Sequence, residues 1–364
     1  MSDIQPPLAT RGRLIVDRTG AAVVIRGVTW FGLETPAHAP GGLWRRSYGD
    51  VLAQIRQAGF NLVRIPFSLQ GLRAQNVASI NYQLPGNESL RGMTPLQVLD
   101  ELVAEAGRQG LLVLLDCQRW NDDRIPELWY GDGFSEADWL DTWSLLATRY
   151  RDQPHVIGAD IKNEPHGQAS WGTGDEATDF RLAAERCGNR ILSIAPDWLI
   201  VVQGIEKNVP GQQLSGHWWG GNLEGVRQHP VRLERPGRVV YSPHEYGTGV
   251  YDADWFHDPE FPRNLRPRWE TGFHYIATDL DLPVLVGEFG GRETGADSPE
   301  GIWQREFVAF LAEHSLGFIY WSWNPESHDT GGLVKADWQT LEADKLDLLA
   351  PLLEPRPAIL PSGR

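Results

Sequence analysis

Two carboxylates stand where little around them calls for charge. Glu164 ends the run that begins at Ile157, and Glu288 ends the one that begins at Val284, both short stretches rich in β-branched residues. Desolvation disfavours a charged side chain at the end of an apolar strand, so such groups read as placed for chemistry rather than packing. Glycosidic bond cleavage needs two of them: one carboxyl stays protonated to assist the leaving oxygen, while the other, ionised, attacks or stabilises the anomeric carbon. The remaining apolar runs end in polar or aromatic residues as well: Trp30, Arg64, Asp116 with Gln118 and Arg119, Asn163, Gln203, His244 with Tyr246, and Trp321 with Trp323. Neither a Gly-x-Ser-x-Gly elbow nor a His-Glu-x-x-His spacing is found, so no esterase-type serine, no catalytic metal and no cofactor is implied. His155, His166, His217, His229 and His328 read as loop or hydrogen-bonded residues.

The elements that must position these groups show an alternating texture. Apolar runs begin near Val24, Asn61, Leu111, Ile157, Leu199, Val239, Val284 and Phe318, and each of the first seven is followed by helical spacing. The runs are separated by about 34 to 50 residues, room for a βα unit with an elaborated loop. Thr94-Pro95-Leu96-Gln97 predicts a capping box with Pro at the first helical position, followed by a buried stripe of Leu99, Leu102, Val103 and Ala106 before Gly110. Ser298-Pro299 opens another helix, with Ile302, Phe307, Phe310 and Leu311 as its stripe before Gly317. Leu14-Ile15-Val16 and Val23-Val24-Ile25 around Asp17–Gly20 predict an N-terminal β-hairpin. No Gly-rich phosphate turn follows the first strand, so an α/β fold made of a single (β/α)8 TIM barrel is expected rather than two Rossmann-like halves. The divisions read as an extension over residues 1–12, a catalytic barrel over 13–355 and a tail over 356–364.

Composition narrows the ligand. The 364 residues carry a formal charge of -15, which would repel a phosphate polyanion, so no nucleic-acid partner is expected. The longest apolar stretch, Gly110 to Leu115, is stopped by Asp116 and is far short of a membrane span. Cys117 and Cys187 exclude a disulfide framework and a clustered cysteine metal site. Sixteen Trp and nine Tyr supply flat rings with polar edges, suited to cores and to stacking on sugar faces.

Asn163-Glu164-Pro165, Ser242-Pro243-His244-Glu245-Tyr246, Gly287-Glu288-Phe289-Gly290 and Tyr320-Trp321-Ser322-Trp323-Asn324-Pro325, in this order at the ends of the fourth, sixth, seventh and eighth strands, resemble glycoside hydrolase family 5. The likeness is greatest to its bacterial endo-β-1,4-glucanases and runs from Leu14 to about Leu353. The resemblance implies a retaining mechanism, with Glu164 as acid/base, Glu288 as nucleophile and their carboxyls about 5 to 5.5 Å apart. The bland alternative for Glu164 is a buried ion pair with Arg64 or Arg119. By the same likeness Arg64 holds the nucleophile ionised, Asn163 bonds the sugar 2-hydroxyl, Tyr246 bonds the nucleophile, His244 lies near the acid/base, and Trp321 underlies the sugar at the cleavage point. Trp44 and Trp219 match aromatic platforms, or else pack loops; Trp171, Trp218, Trp323 and Trp338 are undecided. Adjacent residues of a regular strand face opposite ways, so Asn163 and Glu164 share a pocket only if the fourth strand twists or bulges at its end. His244 and Tyr246, two apart, share a face without such help.

The pattern departs from the family in two places. Gln118 stands where the family has a histidine that helps hold the sugar hydroxyls, and an amide cannot become positively charged. Thr29 stands where relatives commonly have Asn. The expected function is retaining hydrolysis of β-glucosidic bonds, of endo-β-1,4-glucanase type on soluble glucans or oligosaccharides. The alternatives are an intracellular β-glycosidase on short oligosaccharides or small-molecule glycosides, and a non-catalytic glycan-binding barrel. The expected partner is a β-linked oligosaccharide or glycoside, met by a monomer with no membrane span. The opening residues carry no secretory signal. That implies a cytoplasmic location, or a secreted one if a leader has been removed.

Overall fold

The computed structural model describes residues 4–353. Eight parallel barrel strands follow the predicted starts to within two residues: β1 Arg26–Thr29, β2 Leu62–Ser68, β3 Leu112–Arg119, β4 Val156–Asp160, β5 Leu199–Gln203, β6 as Val239–Ser242 and His244–Tyr246, β7 Leu285–Gly290 and β8 Gly317–Tyr320. Pro243 has no N–H to donate, and it divides β6 into two pieces that pair with β5 and β7 respectively. Each other strand pairs with its sequence neighbour and β8 pairs with β1, so the cylinder closes. The fold is the expected (β/α)8 barrel.

Helices cover its outside. Over Pro95–Arg108 the Thr94 hydroxyl and the Gln97 side chain complete the predicted capping box, and Leu99, Leu102, Val103 and Ala106 are buried together with Val98. Over Pro299–His314 the stripe is wider than expected: Trp303 and Val308 join Phe307, Phe310 and Leu311, whereas Ile302 is only half-buried. That helix ends on Ser315 in the left-handed conformation, two residues before Gly317 begins β8.

The hairpin is present, with a different pairing. Ala9–Arg11 runs antiparallel to Leu14–Val16 around Gly12, while Val16 reaches the anticipated second arm only through a bridge to Ala22. The strand Ala9–Arg11 therefore belongs to residues assigned to the extension 1–12. Leu8 and Ile15 pack against inward-facing Leu62, Leu112, Leu114, Leu199, Val201, Val240, Leu285 and Ile319, so this segment plugs the end of the barrel where the strands begin. The tail 356–364 lies outside the described residues.

The inner face changes character along each strand. In β2 Leu62 gives way to Arg64; in β3 Leu112 and Leu114 give way to Asp116 and Gln118; in β5 Leu199 and Val201 give way to Gln203. Alternation keeps each set on one face, so a dry plug at one end and a polar chamber at the other follow from strand parity.

Candidate active site

Arg64 organises the chamber. Fully buried on β2, it uses its planar fork in several directions at once. Nη1 donates to Glu288 Oε1 at 2.6 Å, Nε to Asp160 Oδ2 at 3.0 Å and Nη2 to Asn163 Oδ1 at 3.1 Å, and Nη2 also lies 3.1 Å from Asp116 Oδ1. Burial works against its charge, but Asp116, Asp160 and Glu288 outweigh it and raise the pKa. The same crowding acts on the acids. Desolvation, with mutual repulsion, raises Asp116 well above the usual carboxylate range, and desolvation raises Asp160.

Glu288 reaches the chamber through an irregularity. Leu285 faces inward while Val286 and Phe289 face outward, and the register between β7 and β8 shifts between Val286 and Phe289. The slip turns Glu288 onto the inner face, directly beside His244 of β6. Its second oxygen accepts from the Tyr246 hydroxyl at 2.6 Å. Burial and then the Glu288 charge push the Tyr246 phenol well above its usual pKa, so it stays a donor.

Glu164 arrives by another device. β4 ends at Asp160, and Glu164 lies beyond it with φ 47°, a left-handed conformation uncommon for a residue with a side chain. Its N–H donates to Gln203 Oε1 at 2.7 Å, and Gln203 in turn donates to Asp160 Oδ1 at 2.9 Å. This is how Asn163 and Glu164 turn toward one chamber, as the parity argument required. His244 Nδ1 lies 2.9 Å from Glu164 Oε1 and 3.4 Å from Glu288 Oε2. The ligand atoms of these three side chains all fall within 4.8 Å of one another. Glu164 is thus partnered by His244, not by Arg64 or Arg119. Its pKa is raised, first by burial and then by the Glu288 charge, against the lowering pull of His244.

The other expected residues divide into wall and platform. Gln118 is buried beside Asp116 with no hydrogen-bond partner for its Oε1 among the described residues. Thr29 Oγ1 is likewise buried without a partner there. Trp321 is half-buried and stacks on Phe31 with ring centroids 5.4 Å apart. Trp219, 43% exposed, lies flat on His166 at 3.7 Å, and His166 Nδ1 is 2.8 Å from the Glu164 carbonyl. Trp44, 39% exposed, meets the buried Trp338 edge-on. Trp171, Trp218, Trp323 and Trp338 are buried in the core. His155 bonds the Val103 carbonyl and His217 the Glu224 carboxylate, so both are structural.

Sequence reasoning passed over Asp160 and Lys162, and it read His166 as a loop or hydrogen-bonded residue, which it is. Asp160 was visible as a lone acid inside the apolar run Val156–Ile161. Lys162 lies buried behind Glu164; its Nζ donates to the carbonyls of Pro126 and Asn163, and desolvation lowers its pKa to about 8. Nothing in the local pattern marked Lys162.

Comparison with known proteins places this arrangement. The sequence profile of Cellulase (glycosyl hydrolase family 5) matches residues 16–327. An endoglucanase of Paenibacillus polymyxa is 48% identical over 347 residues, spanning 95% of this chain and 87% of that protein. The major extracellular endoglucanase of Xanthomonas campestris pv. campestris is 42% identical over 343 residues, spanning 93% and 70% respectively. Among solved structures, an endocellulase of Pyrococcus horikoshii in complex with cellotetraose superposes with a TM-score of 0.91 at 39% identity, covering 97% of this chain and 100% of that one. The catalytic domain of the Xanthomonas enzyme superposes at 0.89 with 41% identity, covering 95% and 99%.

Proposed function

The chain belongs to glycosyl hydrolase family 5 and is a glycoside hydrolase, and on that premise we propose that it cleaves internal β-1,4-glucosidic bonds by double displacement, with Glu288 as nucleophile and Glu164 as acid/base. The observation that carries this reading is the pair itself: two carboxylates within 4.8 Å, both against His244, in opposite environments. Glu288 accepts two hydrogen bonds of 2.6 Å, one of them from a cation. Glu164 is held toward the protonated form by burial. A separation of about 5 Å suits direct attack, whereas an inverting pair stands roughly 6.5 to 9.5 Å apart to admit a water.

In the first step a Glu288 oxygen bonds to the anomeric carbon as the glycosidic C–O bond breaks, and the Glu164 proton passes to the departing oxygen. In the second, a water oxygen attacks the same carbon, its proton passes to Glu164, and the ester bond to Glu288 breaks. Arg64 and Tyr246 hold the nucleophile's two oxygens in place, while Asn163 is positioned by Arg64 to meet the 2-hydroxyl. Trp321 would lie under the sugar at the cleavage point, with Trp44 and Trp219 as exposed platforms farther along a chain. The glucan specificity is supported by the relatives, which are named as endoglucanases and an endocellulase.

The test is covalent. A 2-fluoro-cellobioside with a good leaving group should add one glycosyl unit, located on Glu288 by peptide mass spectrometry, and the first-formed product of normal turnover should be the β-anomer. Label on another residue, or an α-anomeric first product, would overturn the assignment. Digestion of long cello-oligosaccharides should release mixed lengths; stepwise release from one end would refute internal cleavage.

A further inference from the structure

A second cluster of potential ligands lies between the helical stretches that precede and follow β7. Glu270 and His274 belong to a π-helical turn, Glu270–His274, between short α-helical pieces Leu265–Trp269 and Tyr275–Thr278. His314 is the last residue of the helix Pro299–His314. These two helical stretches precede and follow β7, and both face its lower end: Thr278 comes shortly before Leu285, and His314 shortly before β8. We propose that Glu270, His274 and His314 bind a divalent cation of borderline-soft character, Zn2+ or Co2+, which ties the two helices together.

The geometry supplies the argument. One ligand atom from each residue falls within 4.8 Å of the others. Metal–ligand distances of about 2.0 to 2.1 Å place tetrahedral donors roughly 3.3 Å apart, so the set must close by at most about 1.5 Å. Glu270 is exposed and His314 half-buried, which leaves both side chains free to make that movement. His274 is the fixed point. It is only 2% exposed, and among the described residues its Nδ1 has no well-aligned hydrogen-bond partner, Glu270 Oε2 lying 3.2 Å away as an ion-pair contact. A buried nitrogen facing a carboxylate at poor alignment, with a second imidazole ring 4.1 Å off, is a ligand set that a cation would complete. Single π-turns inside helices recur at ligand sites because the widened turn re-aims side chains.

Charge favours the same occupant. Glu313 and Asp279 lie near His274, as does Arg13 of the hairpin turn. Arg266 is engaged by Glu313 at 2.7 Å and Glu306 at 3.6 Å. Two imidazoles and one carboxylate select Zn2+ or Co2+ over Ca2+ or Mg2+, which prefer all-oxygen shells, and solvent at Glu270 can fill the fourth position.

The experiment is metal titration of the chelator-treated full chain. Co2+ should develop the visible absorption of a low-coordinate ion, and equilibrium dialysis should show one Zn2+ per chain, retained in Glu288→Gln. At a free concentration of about 100 Kd the melting temperature should rise by roughly 4 °C. His314→Ala and, independently, Glu270→Gln should each weaken binding at least tenfold, with metal-free turnover equal to wild type. A stoichiometry unchanged in both variants, binding lost in Glu288→Gln, or no ion held at micromolar concentration would each overturn the proposal.

Discussion

Tyr246→Phe removes one oxygen and leaves the ring against Trp218 in place. What it deletes is the hydroxyl that donates to Glu288 Oε2 across 2.6 Å in a buried setting. A hydrogen bond to a charged group of this kind contributes about 1.5 to 3 kcal/mol. At about 1.36 kcal/mol per factor of ten, its loss should lower kcat/KM by roughly 10- to 150-fold. Arg64 still holds the other oxygen at 2.6 Å, so the carboxylate stays in place and residual activity should remain. The assay is kcat/KM on an aryl β-cellobioside, with unchanged circular dichroism as the control for folding. A kcat/KM within about twofold of the wild type would refute the claim that the Tyr246 hydroxyl holds the proposed nucleophile for attack.

Glu164→Ala should still form the glycosyl-enzyme from substrates with good leaving groups and fail with poor ones; equal losses on both would contradict an acid role. In the wild type the raised pKa of Glu164 keeps its proton in place above the ordinary carboxylate range, so activity should fall on the alkaline side as that proton is lost, and loss of the alkaline limb in Glu164→Gln is the check. Glu245, on the outer face of β6, is surrounded by Trp269, Trp303, Trp218 and Arg268, and burial raises its pKa to about 7. A folded-state pKa above the unfolded one contributes stability that is complete below the unfolded carboxylate value and lost as pH rises through about 7, at most about 3 kcal/mol. Glu245→Gln should therefore flatten the decline of melting temperature with rising pH, and parallel slopes for the two proteins would count against it. Gln118→His places a titratable ring where Gln118 Oε1 has no partner among the described residues, and should shift the pH profile or the preference among β-glycosides; identical profiles would show the position to be silent.

Much of this was legible along the chain because barrel strands obey strict alternation and helices announce their ends. The capping box at Thr94 and the starts of all eight barrel strands are local signals, set by backbone hydrogen bonding within a few residues. His244 and Tyr246 could be put on one face by counting two, and they lie on one face. Counting fails where the backbone departs from regularity. By simple alternation from Leu285, Glu288 would point outward; the bulge in β7 reverses it, and no residue type in Gly287-Glu288-Phe289 demanded that bulge. The hairpin was misjudged for a similar reason, since Leu8 is drawn to the barrel end by apolar surface contributed from seven strands, a contact no nearby residue reveals.

The sequence by itself determined the family, the barrel and the two carboxylates, since each is written in residue types at short range or in motifs held in a fixed order. Only the tertiary structure decided how the charges divide. Arg64 could have met any of several acids, and it serves Glu288, Asp160 and Asp116 together because closure of the cylinder brings β2, β3, β4 and β7 to one level. Burial depth and neighbouring charge, which set the ionisation of Glu164, are properties of that closed chamber and of no segment within it.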